Sequence, residues 1–124
     1  MEVYDSAVFY LQKAVQVDST NYNALHSLGL AYHAMLKYDL AISYIQKAIR
    51  IDPTKGKTYF ELACSYSMNN QPEQAILYLS QAYQRGYKNT DALLSDPDLS
   101  TLKNMKGFID LLDKYIPDWR NRKP

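Results

Sequence analysis

A period of 34 residues runs through most of this chain. The same residue types return at that spacing, and segments 4–20 and 38–54 share nine of their seventeen residues. The recurring positions are Ala7/Ala41/Ala75, Ala14/Ala48/Ala82, Tyr10/Tyr44/Tyr78, Leu28/Leu62 and Tyr32/Tyr66. A repeat of this length, with apolar residues every three or four positions, is the signature of an array of helix pairs. The sequence therefore predicts an all-α fold.

The apolar spacing predicts five helices in the repeated region. Their expected bounds are about 4–17, 22–35, 38–51, 57–68 and 72–85. Asp52 and Pro53 end the third helix, because proline has no backbone donor and restricts the residue before it. Pro72 and Glu73 suit the first turn of the fifth helix, and Gly86 suits the position just past its end.

Small residues recur where the two helices of a pair are expected to meet. Gly29 faces Ala41 and Ala48 in one pair, and Ala63 takes the place of Gly29 in the next. Small side chains let helices approach to the short end of the usual range of about 8–10 Å. Replacing Gly29 or Ala41 by leucine is therefore expected to cost about 1–3 kcal/mol through overpacking.

The recurring residues resemble the pattern of the tetratricopeptide repeat. One full copy supplies Leu25, Leu28, Gly29, Tyr32, Ala41, Ile45, Ala48 and Pro53. The next copy supplies Tyr59, Leu62, Ala63, Tyr66, Ala75, Leu79 and Ala82, with Tyr87 where the family has proline. The resemblance covers about residues 4–89. It implies a right-handed α-α superhelix (a tetratricopeptide-repeat solenoid) built from antiparallel helix pairs and ended by a C-terminal capping helix.

The pattern divides a single domain, residues 1–124, into four parts. Residues 1–21 match the second half of a truncated repeat, 22–55 and 56–89 are full repeats, and 90–124 are a capping segment. This tail resembles the segment that closes many bacterial arrays of this family. Asp96 is suited to cap a helix that starts at Pro97, and apolar residues follow from Leu99 to Ile116. Such a segment can cover the last apolar face of an array.

In the family, the first helix of each pair lines a concave groove that binds other proteins. Position by position, the resemblance marks candidate groove residues Asn23, His26, Ser27, Leu30, His33, Lys57, Phe60, Glu61, Cys64, Ser67 and Met68. It implies a non-enzymatic scaffold that binds a peptide or a partner segment. A clamp for a C-terminal carboxylate is disfavoured, because the matching positions hold His26, Leu30 and Glu61, and only Lys57 is basic.

Two other interpretations stay open. The first predicted helix is expected to expose part of its apolar stripe, Val8, Leu11 and Val15, which would support weak homodimerisation or indicate a piece cut from a longer array. Alternatively, the chain is a regulatory fragment of a larger, possibly enzymatic protein whose catalytic residues lie outside it.

No catalytic, cofactor or metal site is expected. His26 and His33 are seven residues apart on one predicted helix, a rise of about 10 Å that is too long for one shared ion. The sequence places no base beside Cys64, so we interpret this cysteine as a small packing residue. Asp96 and Asp98 flank a proline, a spacing that fits helix capping better than calcium binding or acid–base catalysis.

Charge and composition exclude several partners. Fourteen basic and thirteen acidic residues give a net charge of +1, which provides no electrostatic case for nucleic acid. The twelve tyrosines fall mostly at recurring positions and lack the interleaved basic residues of a base-stacking surface. No apolar run is long enough for membrane insertion, and no signal peptide is recognisable, so a cytoplasmic location is favoured.

Overall fold

The computed structural model describes residues 2–122, which form seven α-helices and two 3-10 helices. The α-helices are α1 (Glu2–Val17), α2 (Tyr22–Ala34), α3 (Tyr38–Ile51), α4 (Gly56–Met68), α5 (Pro72–Gln84), α6 (Asp91–Ser95) and α7 (Lys106–Tyr115). The 3-10 helices span Pro97–Leu102 and Trp119–Asn121. No strand occurs among these residues. The all-α prediction is confirmed, and the first five helices end within two residues of the predicted bounds.

The two helix pairs α2/α3 and α4/α5 are joined by turns of the same geometry. In each turn one residue takes a positive φ, 63° at Leu36 and 60° at Asn70. The backbone N–H of the next residue then donates to a tyrosine carbonyl of the preceding helix, Lys37 to Tyr32 and Gln71 to Tyr66, both at 2.9 Å. The turns therefore reverse the chain tightly and make the helices of each pair antiparallel.

The packing between neighbouring pairs also repeats. The Gln12 side chain donates to the Tyr32 hydroxyl at 2.9 Å, and Gln46 donates to the Tyr66 hydroxyl at 2.6 Å. The recurring tyrosines stack within their own pairs, Tyr32 on Tyr44 and Tyr66 on Tyr78. The 34-residue pattern in the sequence thus corresponds to one contact pattern that is used twice.

Gly29 lies at the closest approach of α2 to α3. A Cβ atom added there would overlap the Ile45 side chain and would stand 3.3 Å from the Ala41 carbonyl oxygen. Gly56 lies in a similar contact, since its added Cβ would be 2.7 Å from the Ala82 carbonyl oxygen. The side chain introduced by Gly29→Leu is therefore expected to clash with Ile45.

The main hydrophobic core runs without a break from the second helix pair into the C-terminal tail. Leu62 of α4 and Leu79 of α5 are fully buried in the same cluster as Leu102 and Phe108 of the tail. A smaller cluster around Leu28 forms where α1 packs against α2. The tail is therefore an integral part of the core and acts as the cap of the array.

The start of the cap follows from local chemistry. The Asp96 side chain accepts a hydrogen bond from the Asp98 backbone N–H at 2.9 Å, and Pro97 occupies the first position of the 3-10 helix that follows. Leu99 and Leu102 of that helix are buried, as the sequence led us to expect. The short helix α6, just before it, is a feature that the sequence did not predict.

The apolar stripe of α1 faces into the molecule. Val8, Leu11 and Val15 are half-buried and pack against the cluster around Leu28. The more exposed large apolar side chains of α1 are Val3, Tyr4, Phe9, Tyr10 and Val17. Any apolar surface that α1 offers to another molecule therefore centres on Phe9 and Tyr10, which are 53% and 69% exposed.

Candidate functional site

The first helices of the two pairs, α2 and α4, carry the residues expected to line a groove. Asn21 caps α2, since its side chain accepts a hydrogen bond from the Ala24 N–H at 3.1 Å. From this start, Asn23, Ser27 and Leu30 follow at helical spacing and are all exposed. They form an exposed strip along α2.

Two histidines of α2 connect this strip to neighbouring elements. His26 Nε2 lies 2.6 Å from Glu61 Oε1 on α4. His33 Nδ1 lies 2.8 Å from the Ser65 hydroxyl, and His33 Nε2 lies 2.9 Å from Asp98 Oδ2 in the cap. This geometry suits a His33 tautomer whose Nε2–H donates to Asp98 while Nδ1 accepts from Ser65. Both imidazoles are thereby held in one orientation.

The cap crosses α4 at its C-terminal half. The Ser67 hydroxyl donates to the Asp98 carbonyl oxygen at 2.6 Å, and the Cys64 thiol lies 3.8 Å from Asp96 Oδ2. Burial, reinforced by the charges of Asp96 and Asp98, raises the pKa of the Cys64 thiol well above its ordinary value. The thiol therefore stays protonated, which does not suit a nucleophile.

These contacts leave a cleft of about 180 Å³ between α2, α4 and the cap, which we call the cap cleft. Its lining residues are Leu30, His33, Phe60, Glu61, Cys64, Asp96 and Asp98. Sequence reasoning assigned Asp96 and Asp98 to capping alone. Asp96 does cap a helix, but both carboxylates also form a wall of this cleft.

The predicted groove residues differ in exposure. Asn23, Ser27, Leu30, Lys57 and Met68 are exposed, His26, His33 and Glu61 are half-buried, and Phe60, Cys64 and Ser67 are buried. Phe60 packs against the rings of Tyr83 and Tyr87, and Ser67 is covered by the cap. The predicted groove is therefore most accessible along α2, while the α4 positions Phe60, Cys64 and Ser67 contribute mainly to packing.

One group of side chains has the composition of a metal site. Cys64 Sγ and carboxylate oxygens of Asp96 and Asp98 lie within 4.8 Å of one another. Helix capping by Asp96, the contact of its second oxygen with the Cys64 thiol, and the bond between Asp98 and His33 account for this grouping. No ion is needed to hold these residues together.

Two comparisons bear on the family. Models of the tetratricopeptide repeat match residues 22–55 and 44–77, and the first match has the same bounds as the full repeat predicted from the sequence. The repeats in residues 22–77 belong to the tetratricopeptide-repeat (TPR) family. The TPR fold is a non-catalytic protein-interaction fold, so the chain is a protein-interaction scaffold in general terms. A search of curated proteins finds no match.

Solved structures of MamA resemble this TPR protein. A crystal structure of MamA is 27% identical and covers 66% of this chain and 48% of its own, with a TM-score of 0.64. A second crystal structure of MamA protein is 26% identical and covers 71% and 48%, with a TM-score of 0.65. A structure described as MamA MSR-1 C2 is 29% identical and covers 66% and 47%, with a TM-score of 0.64. The match thus spans about half the length of these relatives.

None of the described helices has both the length and the apolar character required to cross a lipid bilayer.

Proposed function

We propose that this TPR protein binds a segment of another protein along the exposed strip of α2. The observation that carries the proposal is the strip itself, in which Asn23, Ser27 and Leu30 lie side by side on one helix face. Leu30 also lines the cap cleft, so the strip leads directly into a concavity. An apolar side chain beside a cleft is a suitable anchor point for a partner, and the polar residues around it can form hydrogen bonds.

The side chains that form the walls of this site are preorganised by hydrogen bonds within the chain. His26 is tied to Glu61, and His33 is tied to both Ser65 and Asp98, before any partner arrives. Binding to side chains that are already ordered loses less conformational entropy than binding to mobile ones. The site therefore suits recognition of a segment in one register.

The acidic character of the groove indicates which partners do not fit. Glu61, Asp96 and Asp98 lie where a free C-terminal carboxylate would meet like charge. A partner therefore binds through an internal segment or through groups other than an acidic C-terminus. Tight selection for peptides with a free acidic C-terminus would contradict this part of the proposal.

Replacing Leu30 by aspartate is expected to abolish capture of the partner. The change removes the apolar anchor from the strip and puts a hydrated carboxylate in its place, so it weakens binding without disturbing the buried core. The measurement is an affinity pull-down with the intact chain, followed by quantification of each captured protein by mass spectrometry.

Leu77→Asp is the matched control for this experiment. Leu77 is an exposed leucine on α5, outside the strip and the cleft, so the same substitution there is expected to leave capture unchanged. A partner lost equally from both variants, or retained by Leu30→Asp, would place the binding site elsewhere.

We further propose self-association through α1, because this helix carries an exposed aromatic surface. The exposed side chains of Phe9 and Tyr10 pack edge to face, with ring centroids 5.4 Å apart, and form an aromatic surface. A two-fold contact between such surfaces on two copies would bury both. Val8, Leu11 and Val15, which are half-buried below this surface, would support α1 in the contact.

Phe9→Glu is expected to shift any dimer towards monomer across a concentration series measured by light scattering. Leu11→Glu is less informative, since Leu11 packs against α2 and its replacement also disturbs the fold. Lys88→Glu, a charge change at an exposed position outside α1, serves as the control. A protein that is monomeric at every concentration, with or without Phe9→Glu, would refute self-association.

A further inference from the structure

The cap cleft has an unbalanced charge. Among its lining residues within the described part of the chain are three carboxylates, those of Glu61, Asp96 and Asp98, and neither lysine nor arginine. Two imidazoles lie beside these carboxylates, His26 Nε2 at 2.6 Å from Glu61 and His33 Nε2 at 2.9 Å from Asp98, so the carboxylates outnumber the imidazoles. The cleft therefore attracts a positively charged group.

The cleft also has apolar walls. Leu30 borders it on the α2 side and Phe60 on the α4 side. Its volume of about 180 Å³ is more space than a single bare ion needs. An apolar wall beside carboxylates suits a group that has a methylene stem and a cationic end.

We propose that the cap cleft receives a lysine or arginine side chain of the bound partner segment. This inference rests on the proposed function and names the partner's chemistry: a segment with a basic residue that anchors beside Leu30. The methylene stem packs between Leu30 and Phe60, while the cationic end donates hydrogen bonds to the carboxylates.

The carboxylates retain the capacity to accept these bonds. Asp96 accepts from the Asp98 N–H and from the Cys64 thiol, and Asp98 accepts from His33. An ionised carboxylate has about four lone-pair positions, so each can accept further hydrogen bonds from an ammonium group with three donors. The internal bonds hold the carboxylates in place and leave acceptor positions for the ligand.

The inference can be tested with n-butylammonium chloride, which reproduces the end of a lysine side chain. The measurement is a titration of the ¹⁵N-labelled full chain followed by two-dimensional NMR at constant ionic strength. We expect saturable shifts of the backbone amides of Leu30, Phe60, Cys64 and Asp98. Sodium n-butyrate, with the same stem and the opposite charge, is expected to leave these amides unshifted.

Asp96→Asn is the informative variant. Asparagine caps a helix as well as aspartate does, so the substitution removes a charge from the cleft and keeps the local fold. Affinity for n-butylammonium is expected to fall about fivefold, which is the upper range for one partly exposed ion pair. Asp110→Asn, an identical change on the exposed side of α7, is expected to have no effect. Glu61→Gln is a second charge removal that is independent of the cap and is expected to weaken binding similarly.

Each outcome decides the inference. Saturable shifts that weaken in Asp96→Asn and Glu61→Gln support it. No saturable shift, an equal response to n-butyrate, or a response to zinc chloride alone would overturn it. The two proposals can fail separately. If Leu30→Asp loses a captured protein but n-butylammonium causes no shifts, the groove still binds a partner and only the basic anchor is refuted.

Discussion

Replacing Phe108 by alanine is expected to lower the free energy of unfolding by about 3–5 kcal/mol. The Phe108 side chain is 1% exposed and belongs to the core cluster that contains Leu62 and Leu79 of the second helix pair. Its removal leaves a cavity between the cap and the array that rigid helices can only partly fill. The loss should therefore destabilise the whole molecule and not only its C-terminal end.

Urea unfolding followed by circular dichroism and by Trp119 emission measures this effect. Trp119 is the single tryptophan and packs against the main core from the end of the tail, so it reports on the cap. The two signals are expected to change together, both in the parent protein and in Phe108→Ala, because the core is continuous. Phe9→Ala is the matched control: Phe9 is 53% exposed, and its loss should cost less than about 1 kcal/mol. A Trp119 transition well before the loss of helix would mean that the cap folds separately.

Leu28→Ala is expected to cost about 2–5 kcal/mol and to loosen α1 in particular. Leu28 is fully buried, and the half-buried Val8, Leu11 and Val15 of α1 pack against its cluster. Because α1 contacts the rest of the described structure mainly through α2, a cavity at Leu28 removes much of what holds it in place. Local opening of α1 should therefore become easier than opening of α4 or α5.

Hydrogen exchange of the backbone amides separates these effects. In Leu28→Ala, amides in the middle of α1 are expected to lose more protection than amides of α5. Leu30→Ala provides a comparison two residues further along the same helix, since Leu30 is 38% exposed and lines the groove. Leu30→Ala should leave α1 protected. Equal loss of protection in all helices of Leu28→Ala would indicate that α1 unfolds only with the whole array.

The repeats could be predicted from the sequence because their signals are local. Asp52 with Pro53, Pro72 with Glu73, and Gly86 mark helix ends by effects that act within a few residues. The 34-residue register then places the helices in pairs. The short α6 and the 3-10 helix Trp119–Asn121 escaped prediction, because both are too brief for a helical period to be recognised.

The site was less predictable because it depends on contacts between distant residues. His33 and Asp98 are 65 residues apart and meet only because the cap crosses α4. Phe60, Cys64 and Ser67 occupy groove positions in the repeat pattern, yet the structure buries them beneath the tail and the rings of Tyr83 and Tyr87. The contact between His26 and Glu61 was partly predictable. The two residues are 35 positions apart, one more than the period, so the repeat places them on α2 and α4, the first helices of the two neighbouring pairs.

The C-terminal cap forms one wall of the groove, where Asp98 contacts His33. Nuclear Overhauser measurements on the labelled protein test it directly. We expect cross-peaks from the imidazole protons of His33 to the β protons of both Ser65 and Asp98, in line with the hydrogen bonds at 2.8 and 2.9 Å. Cross-peaks from His33 to Ser65 alone, in a protein whose α7 amides are protected from exchange, would show a folded cap that leaves the groove without this wall.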